Sequence, residues 1–201
     1  MVMMSAMDTA ETPTTESRQP APGELRLVQL LVNTVEADVG REDFTDAAAM
    51  GGWLVEHGLL AAGEAGSVTE GDRARLVELR EALRDLLGAN DGDPVDPHAS
   101  AVLEAETARV PLQVRIAGDG SVALVPARGG IDGAVARILA AIAAASIEGT
   151  WRRLKTCRDD TCRWAYYDSS RNVSAAWCSM ASCGNRAKAR RHRERRRETA
   201  T

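Results

Sequence analysis

The residues best suited to chemistry are four cysteines in the last quarter of the chain: Cys157, Cys162, Cys178 and Cys183, in the pattern C-x4-C-x15-C-x4-C. Two close pairs separated by 15 residues suit one tetrahedral metal site, each pair supplying two thiolates from a tight turn or a helix start. The donor set points to one zinc ion (Zn2+). An iron–sulfur centre and metal-free thiols are the alternatives. Disulfides are disfavoured, since no secretory signal is visible and a cytoplasmic location is expected. Four thiolates leave zinc no open position, so the expected role is structural: folding a segment too small to fold otherwise.

No catalytic constellation stands beside this cluster. His57, His98 and His192 are scattered, and there is no nucleophile elbow, phosphate loop or metal-binding histidine pair. No enzyme is expected. The acidic stretch GANDGDPVDP (Gly88 to Pro97) lacks the ordered spacing of a calcium loop and reads as a linker.

Charge is unevenly spread. Of 201 residues, those from Trp151 onward hold 14 Lys+Arg against 5 Asp+Glu, while the first 150 hold 11 against 24. An acidic body thus carries a basic tail, an asymmetry associated with nucleic-acid contact. The expected division is a loose lead-in over 1–22, a body over 23–150 and a metal-bound module over 151–201. Arg186, Arg190, Arg193 and Arg197 fall at i, i+4, i+7 and i+11 of a predicted last helix, with Lys188, Arg191 and Arg195 on a neighbouring stripe. With Arg171, these form the candidate nucleic-acid contacts. Asn185, directly after a ligand cysteine, is expected to hold the turn. No apolar run approaches the roughly 18 residues of a membrane span.

The elements that must position these residues are of mixed type. Helical periodicity runs over Leu25 to Asp38, Asp46 to His57, Thr69 to Leu87 and Gly133 to Ser146. Leu112 to Ile116 and Val122 to Val125 alternate around Gly118-Asp119-Gly120, a hairpin. In the tail, Arg163 to Tyr167 and Asn172 to Trp177 flank a polar turn and predict a second hairpin. Ser179 is placed to cap the last helix, and Trp164, Tyr166 and Trp177 to form a small core beside the metal. The expected fold class is α+β: a mostly helical N-terminal domain with a β-hairpin, plus a small treble-clef-like four-cysteine module. Asn33-Thr34 is expected to be a satisfied polar pair near the core, and Glu78 and Arg80 to be solvated or paired across helices.

The tail RLKTCRDDTCRWAYYDSSRNVSAAWCSMASCGNRAKARRHRERR resembles the CGNR zinc finger, a bacterial C-terminal module named for the tetrapeptide at Cys183-Gly184-Asn185-Arg186. The likeness covers both cysteine pairs, Asp168, Ser170 and Asn172, Trp177 to Met180, and the Lys/Arg tail. LVNTVEADVG, WLVEHGLL and LVELREALRDLL are similar to the ABATE domain, which usually precedes that finger and is named for stress-induced transcription regulation. The resemblance implies a zinc-dependent, DNA-binding bacterial transcription regulator. It departs at Ala175-Ala176, where the family usually carries arginines, so two expected contacts are missing.

DNA is therefore the expected partner. An RNA-binding module is the second reading, because a basic helix and aromatics suit either nucleic acid. A zinc–thiolate redox sensor or protein adaptor is the third. The acidic body is expected to sense a small ligand through a pocket the sequence does not locate, or to mask the basic helix. A homodimer would fit both.

Overall fold

The computed structural model describes residues 19–198. The first 18 residues of the expected lead-in lie outside them. Five helices build the body: α1 (Leu25–Val32), α2 (Ala47–Glu56), α3 (Glu70–Ala89), α4 (Pro97–Arg109) and α5 (Gly130–Ile147). Three are fixed at their starts by side-chain caps. Asp46 accepts from the Ala49 N–H, Thr69 and Asp72 form a reciprocal capping box, and Asp96 accepts from His98 and Ala99 with Pro97 in the first helical position. That last signal, Asp-Pro, marks a helix the periodicity alone missed.

Leu76, Leu79, Leu83 and Leu87 of α3 are fully buried, together with Val28 and Leu31 of α1, Met50 and Leu54 of α2, and Val135 and Ile138 of α5. The stripe expected on α3 is thus the spine of one core. Helix α5 is 18 residues long, and among the described residues it alone is long and apolar enough to cross a membrane by length and composition. The sequence reading undercounted it by beginning at Gly133. Its Ala134, Val135, Ala136 and Ile138 are core residues here.

Helix α1 ends earlier than expected. Thr34 Oγ1 donates back to the Leu31 carbonyl at 2.8 Å, and Val35–Glu36 (β1) then pairs with Arg41–Glu42 (β2) around Gly40, whose φ of +69° suits the turn. The expected hairpin is present as β3 (Leu112–Ile116) and β4 (Val122–Pro126).

Buried charges staple the helices. Arg75 of α3 reaches Glu106 of α4 at 2.6 Å and Asp132 of α5 at 2.8 Å. Arg80 is paired with Glu42 at 2.7 Å and Glu81 at 2.9 Å, and bonds Thr34. Glu78 faces His98 of α4 at 3.5 Å.

The C-terminal module contains β5 (Leu154–Thr156), β6 (Ala165–Tyr167) and α6 (Asn185–Glu198). This corrects the second predicted hairpin. The strand over Ala165–Tyr167 pairs antiparallel with Leu154–Thr156, not with Asn172 to Trp177, which forms no strand. The first cysteine pair occupies the turn, and a buried Lys155 explains the preference: its Nζ lies 3.0 Å from Asp168 Oδ2 and 2.7 Å from the Val173 carbonyl. That contact holds residues 168–175 as a loop across the strands.

The module does not hang from a linker. Leu154 and Ala165 are fully buried members of the body's own core. The Asn33 side chain mimics a neighbouring strand, donating to the Ala165 carbonyl and accepting from the Ala165 N–H, both at 2.8 Å. Gln29 also donates to that carbonyl, and to Gln19 O, while accepting from the Ala21 N–H. Gln19 to Pro22, assigned above to the loose lead-in, are therefore tied in place, with Ala21 buried. The acidic stretch read as a linker acts as a clamp. Asn90 donates to the Trp151 and Leu154 carbonyls at 3.0 and 2.8 Å, and Asp91 pairs with Lys155 and Arg158.

Asn33→Ala leaves the buried Ala165 N–H without its partner and its carbonyl with Gln29 alone, at a cost of about 2 kcal/mol. Urea denaturation of the two full-length proteins measures it; a loss under about 0.5 kcal/mol, the size of a surface substitution, contradicts the strand-mimic role.

Candidate metal centre and nucleic-acid interface

Each cysteine pair has its x4 spacing for a local reason. In the β5–β6 turn, Asp159 bends the chain: its carbonyl accepts from Cys162 N at 2.8 Å and Arg163 N at 3.0 Å, and its Oδ1 accepts from Thr161 Oγ1 at 2.8 Å. The Cys157 N–H to Trp164 carbonyl bond at 2.9 Å closes the loop, bringing Cys157 and Cys162 together. The second pair uses a π-turn over Met180–Gly184, in which Gly184 N donates to Ser179 O at 3.0 Å. An i→i+5 turn stacks residues five apart, so Cys178 and Cys183 share a side. Ser179 caps this turn as expected, its Oγ accepting from Ser182 N. Gly184 is tightly packed: a Cβ there would stand 2.7 Å from Met180 Sδ, so that exposed side chain would have to turn aside, and 3.3 Å from Trp177 Cδ1.

All four Sγ atoms lie within 4.8 Å of one another. Cys162 to Cys178 and Cys178 to Cys183 are both 3.7 Å apart. A tetrahedron with metal–sulfur bonds of about 2.3 Å has edges of about 3.8 Å, so the donors fit one ion. The electrostatics also favour a cation there. A hydrogen bond with Cys162 brings Cys157 down to about 4, while Cys178 is pushed far up by its bonds to Cys157 and Cys162, and Cys162 rises beside Cys157. A thiolate at Cys157 thus disfavours ionisation of Cys162 and Cys178, and a cation among the sulfurs would offset that repulsion.

The small aromatic core forms as expected. Trp164 and Tyr166 are buried against Cys157, Cys162 and Cys183, with Trp177 partly buried beside them. Tyr166 Oη donates to the Ala175 carbonyl at 2.6 Å, and burial together with Asp91 and Asp168 raises its pKa. Ala175 packs on this core and Ala176 accepts from Arg158 N, so the positions lacking the family's arginines belong to the module's packing. Burial alone would raise the Asp168 pKa, but bonds from Ser170 and Lys155 hold it below the usual carboxylate value. That stabilisation is present above the unfolded value near 4 and is lost as pH falls through the lower folded one.

The candidate contact residues separate into two groups. Lys188, Arg190, Arg191, Arg193, Arg195 and Arg197 are exposed along α6, as is Arg171 on the loop. Arg186 differs. Its Nε donates to Asp159 Oδ2 at 3.0 Å, and its Nη2 to Cys183 Sγ at 3.1 Å and Asp38 Oδ2 at 3.4 Å. Its guanidinium thus joins a ligand sulfur, the first cysteine turn and the body, and it serves the metal centre. Sequence reasoning missed this role and the Lys155–Asp168 pair, because neither has a local pattern beyond the Asp-x-Thr and Asp-x-Ser turns. Asn185 Nδ2 donates to the Ala181 carbonyl at 2.9 Å, consistent with holding the turn. Acids of the body, Asp91 and Asp38, engage Lys155, Arg158 and Arg186. For a small ligand, the boundary offers a cleft of about 490 Å³ between Arg84, Asp91, Cys157 and Arg158.

Arg186→Ala removes a charged donor from Cys183, and loss of such a partner lowers metal affinity about 10–100-fold. Competition with a chromophoric chelator measures this; unchanged affinity contradicts the assignment of Arg186 to the metal centre.

Two family profiles match the chain. The CGNR zinc finger covers residues 153–196, and ABATE, described as "Putative stress-induced transcription regulator", covers 25–149. No curated protein matches significantly. With more than half its length matched, the chain belongs to the ABATE family and carries a CGNR zinc finger after the ABATE region.

Proposed function

We propose that this protein is a DNA-binding transcription regulator, not an enzyme, in which a zinc-anchored helix presents a cationic stripe to duplex DNA. The observation that carries this reading is the placement of α6. It starts two residues after the fourth ligand cysteine, and seven cations from Lys188 to Arg197 are exposed along it. Zinc bound at the four thiolates would supply tetrahedral geometry with no open position for catalysis. Arg186 fixes the start of the helix against Asp159 and Asp38. Ser179 caps the turn before it. The exposed residues then project along a rigid rod of 14 residues.

Arginine suits both parts of such contact, phosphate neutralisation and bidentate bonding to guanine in the major groove. The body, sharing a core with the finger, is suited to set the orientation of α6 and to pass on any signal it receives.

The test is selection of genomic DNA fragments by the metal-loaded protein at about 150 mM salt with RNA as competitor. Enrichment of a shared motif that RNA does not displace is expected; equal displacement by RNA points to the RNA-binding reading. In the same assay, Arg190→Ala/Arg193→Ala/Arg195→Ala/Arg197→Ala should flatten the log affinity against log salt slope by about 3.6, at roughly 0.9 per phosphate contact. An unchanged slope removes α6 from the interface.

A further inference from the structure

The β3–β4 hairpin carries an apolar face that the described residues leave exposed. Cross-strand pairs Val114↔Leu124 and Ile116↔Val122 lie on it, two residues apart along each strand and so on the same side. Exposure is high towards the tip: Val114 66%, Ile116 73% and Val122 65%. Between this face and α5 runs a groove of about 530 Å³, lined by Val114, Val122 and Leu124 on one wall and Ala140, Ala144 and Ile147 on the other. Ile147 is itself 85% exposed. The hairpin is a two-stranded sheet whose base packs on α5 and the core through β4 and Leu112, while its tip stays exposed.

We propose that this face is the interface of a symmetric homodimer, in which the hairpin tip of each copy, led by Ile116, fills the groove of the other. Three considerations select a second copy. Size is the first. At about 60–120 Å² per aliphatic side chain, the five side chains, weighted by their exposure, offer about 200–400 Å² per copy. Two copies together supply about 400–800 Å² of apolar area, the core of an interface at the small end of the usual range. Shape is the second: the surface offers both a projecting apolar tip and an apolar groove, as a self-complementary contact requires, and reciprocal insertion closes after two copies. Charge is the third. At the rim, Glu24 and Arg137 are already paired at 2.7 Å. The turn carries Asp119, and Arg115 alternates to the opposite face. A lipid surface would call for flanking cations; a second copy of the same neutral rim does not.

The inference adds to the proposed function without depending on it. If the protein reads DNA, dimerisation brings two α6 helices to one site and lengthens the sequence read. The test needs no DNA. Sedimentation equilibrium of the full-length, metal-loaded protein should give a species near 43 kDa, twice the 21.5 kDa chain. Ile116→Glu on the hairpin and, separately, Ile147→Glu on α5 should each raise the dimer dissociation constant about 100-fold or more, since each change occurs twice per dimer. Both sites are exposed in the monomer, so circular dichroism and the thermal midpoint should stay at their parent values. Two variants on separate elements guard against simple loss of the hairpin. A wild-type monomer at about 100 µM overturns the proposal, whether or not the hairpin then binds vesicles or another protein. A dimer that withstands both substitutions overturns it as well. Loss of DNA binding with the dimer intact, or the reverse, separates this inference from the function proposed above.

Discussion

Four thiol sulfurs held within 4.8 Å of one another are the constraint on which the C-terminal module depends. Without a cation, an ionised Cys157 disfavours the ionisation of Cys162 and Cys178. With one, four ligands from two distant turns become a single cross-link. The two turns have few other reasons to meet. Their shared aromatic core is Trp164, Tyr166 and a partly buried Trp177, less than a module of this size needs to fold alone. The Asp159–Arg186–Cys183 contacts then transmit the position of the metal into the first residues of α6. The direction of the basic helix is thereby set by the metal centre rather than by burial of the helix, which is polar on nearly every side.

The second constraint is the seam between body and finger. The family boundary falls between residues 149 and 153, yet the core crosses it through Leu154 and Ala165. Asn33, Gln29, Arg84 and Asn90 bond to backbone carbonyls of the finger, and Asp91 and Asp38 pair with its cations. Such contacts are satisfied only in one register, so the body fixes the finger's orientation as well as adding stability. A signal reaching the body would have to act through this seam. Part of the charge imbalance finds its use at the seam, where Asp91 and Asp38 meet the finger's cations.

Much of this was legible in the sequence, for local reasons. The four ligands, the Ser179 cap, the β3–β4 hairpin and α2, α3 and α5 each have signals within a few residues: spacing, caps and period. What escaped depends on partners far apart in the chain. Lys155 carries no local signal, and its buried role depends on Asp168 and Asp91 around it. Arg186 fitted the periodicity of a DNA-facing stripe, but the same position brings it within reach of Cys183 and Asp159. The strand pairing went wrong because alternation in Asn172 to Trp177 is a weak signal, whereas β5 is three residues long and is recognisable only beside Ala165–Tyr167. Helix α4 was within reach, since Asp96-Pro97 is a start signal that its weak apolar stripe obscured.

The central claim is that one metal ion at the four cysteines organises the finger while the body stands on its own core. Hydrogen exchange of the full-length protein, metal-loaded and then stripped by a chelator, tests it most directly. Amides from Cys157 through the start of α6 should lose protection when the metal is removed, while those of α1, α3 and α5 keep theirs. Protection of the finger unchanged by metal removal would contradict the account.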